Sequence, residues 1–247
     1  MFPKCLALFA LLLGLGSQAS ATATASAAAS HSSHAPAVSV DPEQSLKWLK
    51  NGNRRFLKGF LRKDGQSHRD VARLSTGQQP HAIVLSCSDS RVPPEIVFDQ
   101  KLGEIFTVRT AGEALNDNAV GSIEYAVEHL GARLIIVMGH TSCGAVKAAL
   151  GTLDGKDAGS PALNGLVRDL HPHLQSFKGK TPSKDVEAES LANVNGVTAD
   201  LLVRSEILRS RWKKGELKFQ SALYHLDSGV VDFPERVSPR VPASSGR

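Results

Sequence analysis

The sequence predicts an α/β protein: a mainly parallel central sheet with an antiparallel edge strand, helices covering it, and an N-terminal helical arm. Three observations predict it. Residues 82–85, 105–108 and 134–138 are short apolar runs, rich in β-branched side chains and bounded by polar residues or glycine. Runs without alternation are what strands covered on both faces look like. Residues 118–130 set Val120, Ile123, Ala126, Val127 and Leu130 on one helical face, a crossover of the length a parallel strand pair needs. Residues 219–226 and 230–233 flank Asp227-Ser228-Gly229, a hairpin signal that closes the sheet with an antiparallel strand.

The elements follow in chain order. Lys4, the apolar run 5–15 and Ala19-Ser20-Ala21 have the basic, apolar and small-residue parts of a secretory signal. Residues 1–21 therefore read as a signal peptide, and the chain as exported, periplasmic or secreted. Ala21-Thr22-Ala23 would serve as a cleavage site as well. The run is shorter than the ~20 apolar residues of a membrane span, and no other stretch is longer, so no membrane span is expected. Residues 22–40 are an Ala/Ser/Thr-rich leader that cannot bury a core and is expected to be disordered. Asp41-Pro42 reads as a helix start, with Leu46, Leu49, Phe56 and Leu57 at near-helical spacing. Asn51-Gly52-Asn53 is expected to interrupt that helix.

Residues 62–80 read as a loop leading into the first strand. After the third strand, 145–150 is helical. Residues 151–184 are rich in Gly, Asp, Ser and Pro, with a helix around 163–177, and 188–211 is one further helical stretch. The folded domain thus spans 41–234, and the proline-bearing residues 235–247 form a flexible tail. No internal repeat is present.

Composition narrows the function classes. Three cysteines in 247 residues cannot staple a fold of this size, which excludes a disulfide scaffold. A net charge of +5 is scattered, and its densest pieces, Arg54-Arg55 and Lys213-Lys214, are short, so no nucleic-acid partner is expected.

The chemistry concentrates in Cys87-Ser88-Asp89-Ser90-Arg91 and His140-Thr141-Ser142-Cys143-Gly144. Each follows a strand directly, and in open α/β sheets the ligand crevice lies at the carboxyl ends of the strands. His140 and Cys143 offer two ligands on one strand-to-helix turn, and Cys87 can arrive from the neighbouring strand as a third. Two thiolates and an imidazole with a fourth position open make a catalytic zinc arrangement, since structural zinc sites close all four. Asp89 and Arg91 could pair bidentately beside it. Asp89 should stay ionised there, either orienting a zinc-bound hydroxide or filling the fourth position itself. On cysteine count alone, an exported chain with Cys87 and Cys143 would instead form one disulfide.

These motifs resemble the β-class carbonic anhydrases, whose pattern is C-x-D-x-R followed by H-x-x-C; the three-histidine carbonic anhydrases are a separate solution to the same reaction. The resemblance runs from about residue 46 to 233. It includes Gly52-Asn53-Arg54-Arg55-Phe56, the block SCSDSRVPPEIVFDQKLGEIFTVRTAG and the block GSIEYAVEHLGARLIIVMGHTSCGAV. It implies one zinc ion per chain held by Cys87, His140 and Cys143, with Asp89 and Arg91 as the catalytic dyad. The implied reaction is reversible hydration of CO2 to bicarbonate and a proton, in a homodimer or larger homo-oligomer.

Gln78, nine residues before Cys87, matches the substrate-binding glutamine of always-open members. Val84 stands where regulated members carry a tryptophan. Gly144 follows the last ligand, where it brings a helix N-terminus near the metal, and is taken with Gln78 as substrate-binding. The family's Arg-Asn-Ala-Gly-Asn segment is Arg109-Thr110-Ala111-Gly112-Glu113 here, so any bonds of the two asparagines must be replaced or lost. Two alternatives stay open: a sister hydrolase acting on CS2 or COS, and a non-catalytic zinc or redox protein of the envelope. His171-Pro172-His173 makes no complete metal site and reads as solvated surface, and His68 and His81 qualify as proton shuttles by residue type alone.

Overall fold

The structure, a computed structural model, describes residues 39–234. The signal peptide, all but the last two residues of the leader, and the tail 235–247 lie outside the described residues. One sheet carries five strands: β1 (Ala82–Cys87), β2 (Ile105–Thr110), β3 (Leu134–His140), β4 (Lys218–Tyr224) and β5 (Val231–Asp232). Their order is β2-β1-β3-β4-β5. The first four run parallel and β5 returns antiparallel against β4. Every residue of β1 and β3 is buried, the physical reason their sequences show no alternation.

Successive side chains of one strand enter opposite layers. Ile83, Leu85, Ile135 and Val137 meet α4 (Asp117–Glu128), α7 (Glu187–Arg204) and α8 (Glu206–Lys213) through Val120, Ile123, Val194, Leu201 and Leu208. Val84, Ile136 and Met138 turn the other way, onto Leu46 and Leu49 of α1 (Pro42–Leu57) and Val97 of α3 (Pro94–Val97). A third cluster joins Cys87 and Cys143 to α5 (Gly144–Gly151) and α6 (Pro161–Leu174) through Val146, Ala149, Val167 and Leu170.

Four expectations need correction. Asn51-Gly52-Asn53 does not break α1. A Cβ on Gly52 would stand 1.7 Å from the Phe98 carbonyl oxygen, so the glycine serves a close backbone approach inside an intact helix. Asn53 donates to the carbonyls of Val97 and Gly229 and accepts from the Val231 amide, pinning α1 to α3 and the β4–β5 hairpin. The loop 62–80 contains a short helix, α2 (His68–Leu74), opened by a Ser67/Asp70 capping box; the Ser-x-x-Asp spacing was its signal. The stretch 188–211 is two helices, because Ser205 is extended and its Oγ caps α8 at the Leu208 amide. His171 and His173 sit in α6 rather than on solvated surface, and His173 is buried against α7, where a Cβ on Gly196 would collide with its ring.

The strands outrun their apolar runs by two residues. β1 ends on Cys87, β2 on Thr110 and β3 on His140, which carries the polar motifs to the carboxyl edge of the sheet.

Candidate metal centre

Cys87 closes β1, His140 closes the adjacent β3, and Cys143 is the N-cap of α5. The turn between the last two is tied to the end of β4: the Thr141 amide donates to the Tyr224 carbonyl, and the Leu226 amide donates to Thr141 Oγ1. The ligand atoms of Cys87, His140 and Cys143 all lie within 4.8 Å of one another, and all three residues are buried. Both cysteines are free thiols, so they are not joined in the disulfide that cysteine count alone suggests.

The chemistry of the donors fits a metal. His140 Nδ1 stands 2.8 Å from the Thr141 carbonyl oxygen. A carbonyl only accepts, so Nδ1 carries the hydrogen and the Nε2 lone pair faces the two sulfurs. Nε2 is a buried polar atom with no hydrogen-bond partner, a costly arrangement unless it ligates something. The Gly112 amide donates to Cys87 Sγ at 3.4 Å. The Cys143 thiol, then His140 and the amides of Gly112 and Asp89, draw the Cys87 thiol down to about 4. The same sulfur partner, with burial behind it, pushes Cys143 upward. A soft dication would hold both sulfurs as thiolates.

Asp89 and Arg91 stand beside this triad. Arg91 donates its amide and Nε to Asp89 Oδ1 and its terminal nitrogen to Oδ2, at 3.0, 2.9 and 2.7 Å. This fork holds the Asp89 carboxyl well below the usual carboxylate range. Asp89 Oδ2 lies 3.9 Å from His140 Nε2, so the carboxylate faces the position a metal would take while remaining in the grip of arginine.

Gly144 is the first residue of α5, with open space where a Cβ would be. Gln78 is exposed on the segment entering β1. Ala82 and Cys87 sit at opposite ends of that strand, ~17 Å apart at strand rise, so the segment carrying Gln78 joins β1 at the end away from Cys87. His81 is buried at the same far end, bonded to Ser45 and Gln100, and its place is structural.

The structure adds residues that motif reading missed. Arg109 donates from Nε to the Cys87 carbonyl and from its terminal nitrogen to the Asp89 carbonyl, at 3.0 and 2.7 Å, fixing the whole Cys87–Asp89 segment. Its sequence signal was a charged residue near the end of an apolar strand. Glu113, where an asparagine was expected, is fully buried; burial first, then the nearby Cys87 charge, raises its carboxyl well above the usual range. Asn193 of α7 donates to Glu113 Oε2 and to the Gly112 carbonyl. Ser142 donates its hydroxyl to Asp185. Asn193 and Asp185 arrive from far along the chain and had no local signal.

Fold and site together define an α/β protein with a cysteine–histidine–cysteine triad at the carboxyl edge of a parallel sheet. Sequence comparison is specific about the lineage. The profile of the family described as carbonic anhydrase matches residues 82–231. Carbonic anhydrase 2 of Mycobacterium tuberculosis is 38% identical over 191 residues, covering 77% of this chain and 92% of that one. A carbonic anhydrase of Mycolicibacterium smegmatis is 39% identical over 192 residues, covering 78% and 93%. The Coccomyxa β-carbonic anhydrase, solved with acetazolamide, superposes with a TM-score of 0.60 at 26% identity, over 79% of this chain and 86% of that one. This chain belongs to the β-carbonic anhydrase family.

Proposed function

We propose that the chain is an exported zinc carbonic anhydrase that interconverts CO2 and bicarbonate. The observation that carries the reading is the buried Cys87–His140–Cys143 triad with the unpartnered His140 Nε2 at its centre. Zinc, when bound there, supplies the Lewis acidity that turns water into a nucleophile near neutral pH.

The chain's own residues do the rest. Arg91 keeps Asp89 ionised and occupied, so its carboxylate orients a protonated oxygen of the substrate shell by accepting its hydrogen. Arg109 holds the Cys87 and Asp89 carbonyls, fixing the carboxylate relative to the thiolate. The pairing of Asp89 with Arg91 favours the open arrangement, because a carboxylate gripped by arginine would not ligate the metal itself. Val84 in place of a regulatory tryptophan favours it too. Gly144 places the N-terminus of α5 beside the triad, where its amides favour an anion such as bicarbonate.

A homo-oligomer fits the surface. β2 is an edge strand whose residues are only half-buried after Ile105, and bare edges invite pairing. Gln78 can then serve as a substrate-binding residue only at the site of a second subunit. Residues 1–21 support export by their signal pattern. Among the described residues no helix is long and apolar enough to cross a membrane.

The test is stopped-flow CO2 hydration on the reduced, purified chain, with zinc counted on the same sample. One zinc per chain with fast hydration is expected. One zinc per chain without hydration at any pH from mildly acidic to alkaline would overturn the reading.

A further inference from the structure

Both sulfur ligands sit beside turns with left-handed backbone, and one distant segment grips both turns. Of the five non-glycine residues with positive φ among the described residues, four lie along this seam: Glu113, Ser142, Asp185 and Val186, at 56, 56, 53 and 49°. For a β-branched valine this is a genuine outlier. Such conformations persist only where surrounding contacts over-determine them, and they gather at functional sites.

The contacts are specific. The Ser142 amide donates to the Asp185 carbonyl at 2.5 Å and its hydroxyl to Asp185 Oδ1 at 2.9 Å, which locks the residue before Cys143. The side chain of Val186 is buried in the cluster that contains Cys143, Val146 and Ala149. Ser183 ties this turn to α7: its amide donates to Glu189 Oε1 and its hydroxyl accepts from the Ala188 amide. One helical turn beyond Glu189 on the same face, Asn193 donates to the Gly112 carbonyl at 2.8 Å. Gly112, itself at φ 64°, donates its amide to Cys87 Sγ. Asn193 Oδ1 is held in turn by His173, which bonds Asp200 on its other nitrogen.

We propose that the segment from Asp185 to Asn193 is a clamp on the metal centre, in which Asp185 and Asn193 are positioning residues that hold the Cys143 and Cys87 turns in ligating geometry through Ser142 and Gly112. The clamp rests on the zinc reading above. Its work would be retention: with both turns held, the Cys87 and Cys143 sulfurs stay close together and would keep their grip on a metal. Partners outside the ligand set are worth roughly 10–100-fold in metal affinity or activity.

The experiment follows zinc release from the loaded, full chain into excess chromogenic chelator, alongside the thiolate-to-metal charge-transfer band of the cobalt-substituted chain. Asp185 is exposed but holds φ 53°, so the variant that removes only its side chain is glycine, which takes left-handed backbone at no steric cost. Asp185→Gly removes the Oδ1 acceptor and should release zinc about 10-fold faster with an altered band. Asp185→Asn keeps that acceptor and tolerates left-handed backbone, and should behave as the parent does. Asn193→Asp keeps the shape, loses the donor to Gly112 and should release faster. Parental release and an unchanged band in Asp185→Gly would overturn the clamp, as would equal acceleration by Asp185→Gly and Asp185→Asn. Failure of the parent chain to hold zinc would instead overturn the metal reading.

Discussion

Asp89→Asn separates the chemistry of the site from its architecture. The carboxylate accepts three hydrogen bonds from Arg91, and the asparagine keeps its size but loses its charge and half of the bidentate acceptor. The structural cost is small, because the Arg91 side chain is 59% exposed and water can replace its partner. Exposed ion pairs contribute ~0–1 kcal/mol, and at ~2–4 °C per kcal/mol for a domain of this size the melting temperature should fall by less than ~4 °C. The catalytic cost should be far larger. Removing a positioned proton acceptor costs ~10²–10⁴-fold, or roughly 3–5 kcal/mol of barrier at ~1.4 kcal/mol per decade. The assay is stopped-flow CO2 hydration with zinc counted and thermal unfolding measured on the same preparation. Full zinc occupancy, near-parental melting and a loss of at least ~100-fold in kcat/KM are expected. A fully active Asp89→Asn enzyme would refute the role of the carboxylate, and loss of zinc along with activity would show that Asp89 acts as a ligand.

Other variants test other links. Cys143→Ser replaces a soft thiolate by a hydroxyl and should empty the site of zinc; unchanged metal content in that variant would contradict the ligand assignment. Gly→Ala should act with opposite signs at two helical positions. At Gly121 in α4 a Cβ meets nothing within 4 Å, so alanine should stabilise by ~1 kcal/mol through propensity. At Gly52 the clash with the Phe98 carbonyl should outweigh that gain and destabilise by ~1–3 kcal/mol net; urea unfolding that gave both the same sign would contradict the close approach. His173 provides the pH dependence. Burial lowers its pKa, but the bonds to Asp200 and Asn193 raise it above the ordinary histidine value on balance. Its contribution to stability should be complete below pH ~6.5 and fade as pH rises through the raised folded value. Asp200→Asn should flatten that decline, and an unchanged decline would assign it to another group.

Much of this architecture was legible because it is local. The unalternating runs at 82–85, 105–108 and 134–138 are strands, and the amphipathic stretch 118–130 is their crossover helix, since periodicity records which faces are buried. The residues of the candidate site were legible for a related reason. Cys87, Asp89 and Arg91 fall within five residues, and His140 and Cys143 within four, each just past a strand, so the edge of a parallel sheet had to gather them. What failed was decided across the chain. Asn51-Gly52-Asn53 looks like a helix breaker until the Phe98 carbonyl is seen to occupy the space where a side chain would be, and Asn53 to bind three backbone groups from two other elements.

By itself, then, the sequence determined the fold class and the meeting of Cys87, His140 and Cys143 at one edge of the sheet, because each depends on short-range pattern and on which strand end a motif follows. Only the tertiary structure decided that the Cys87 sulfur is served by the Gly112 amide and that Asn193 and Asp185 grip the ligand turns. Those relations join residues dozens of positions apart, and a hydrogen bond between distant segments depends on how helices and sheet stack, which no local spacing encodes.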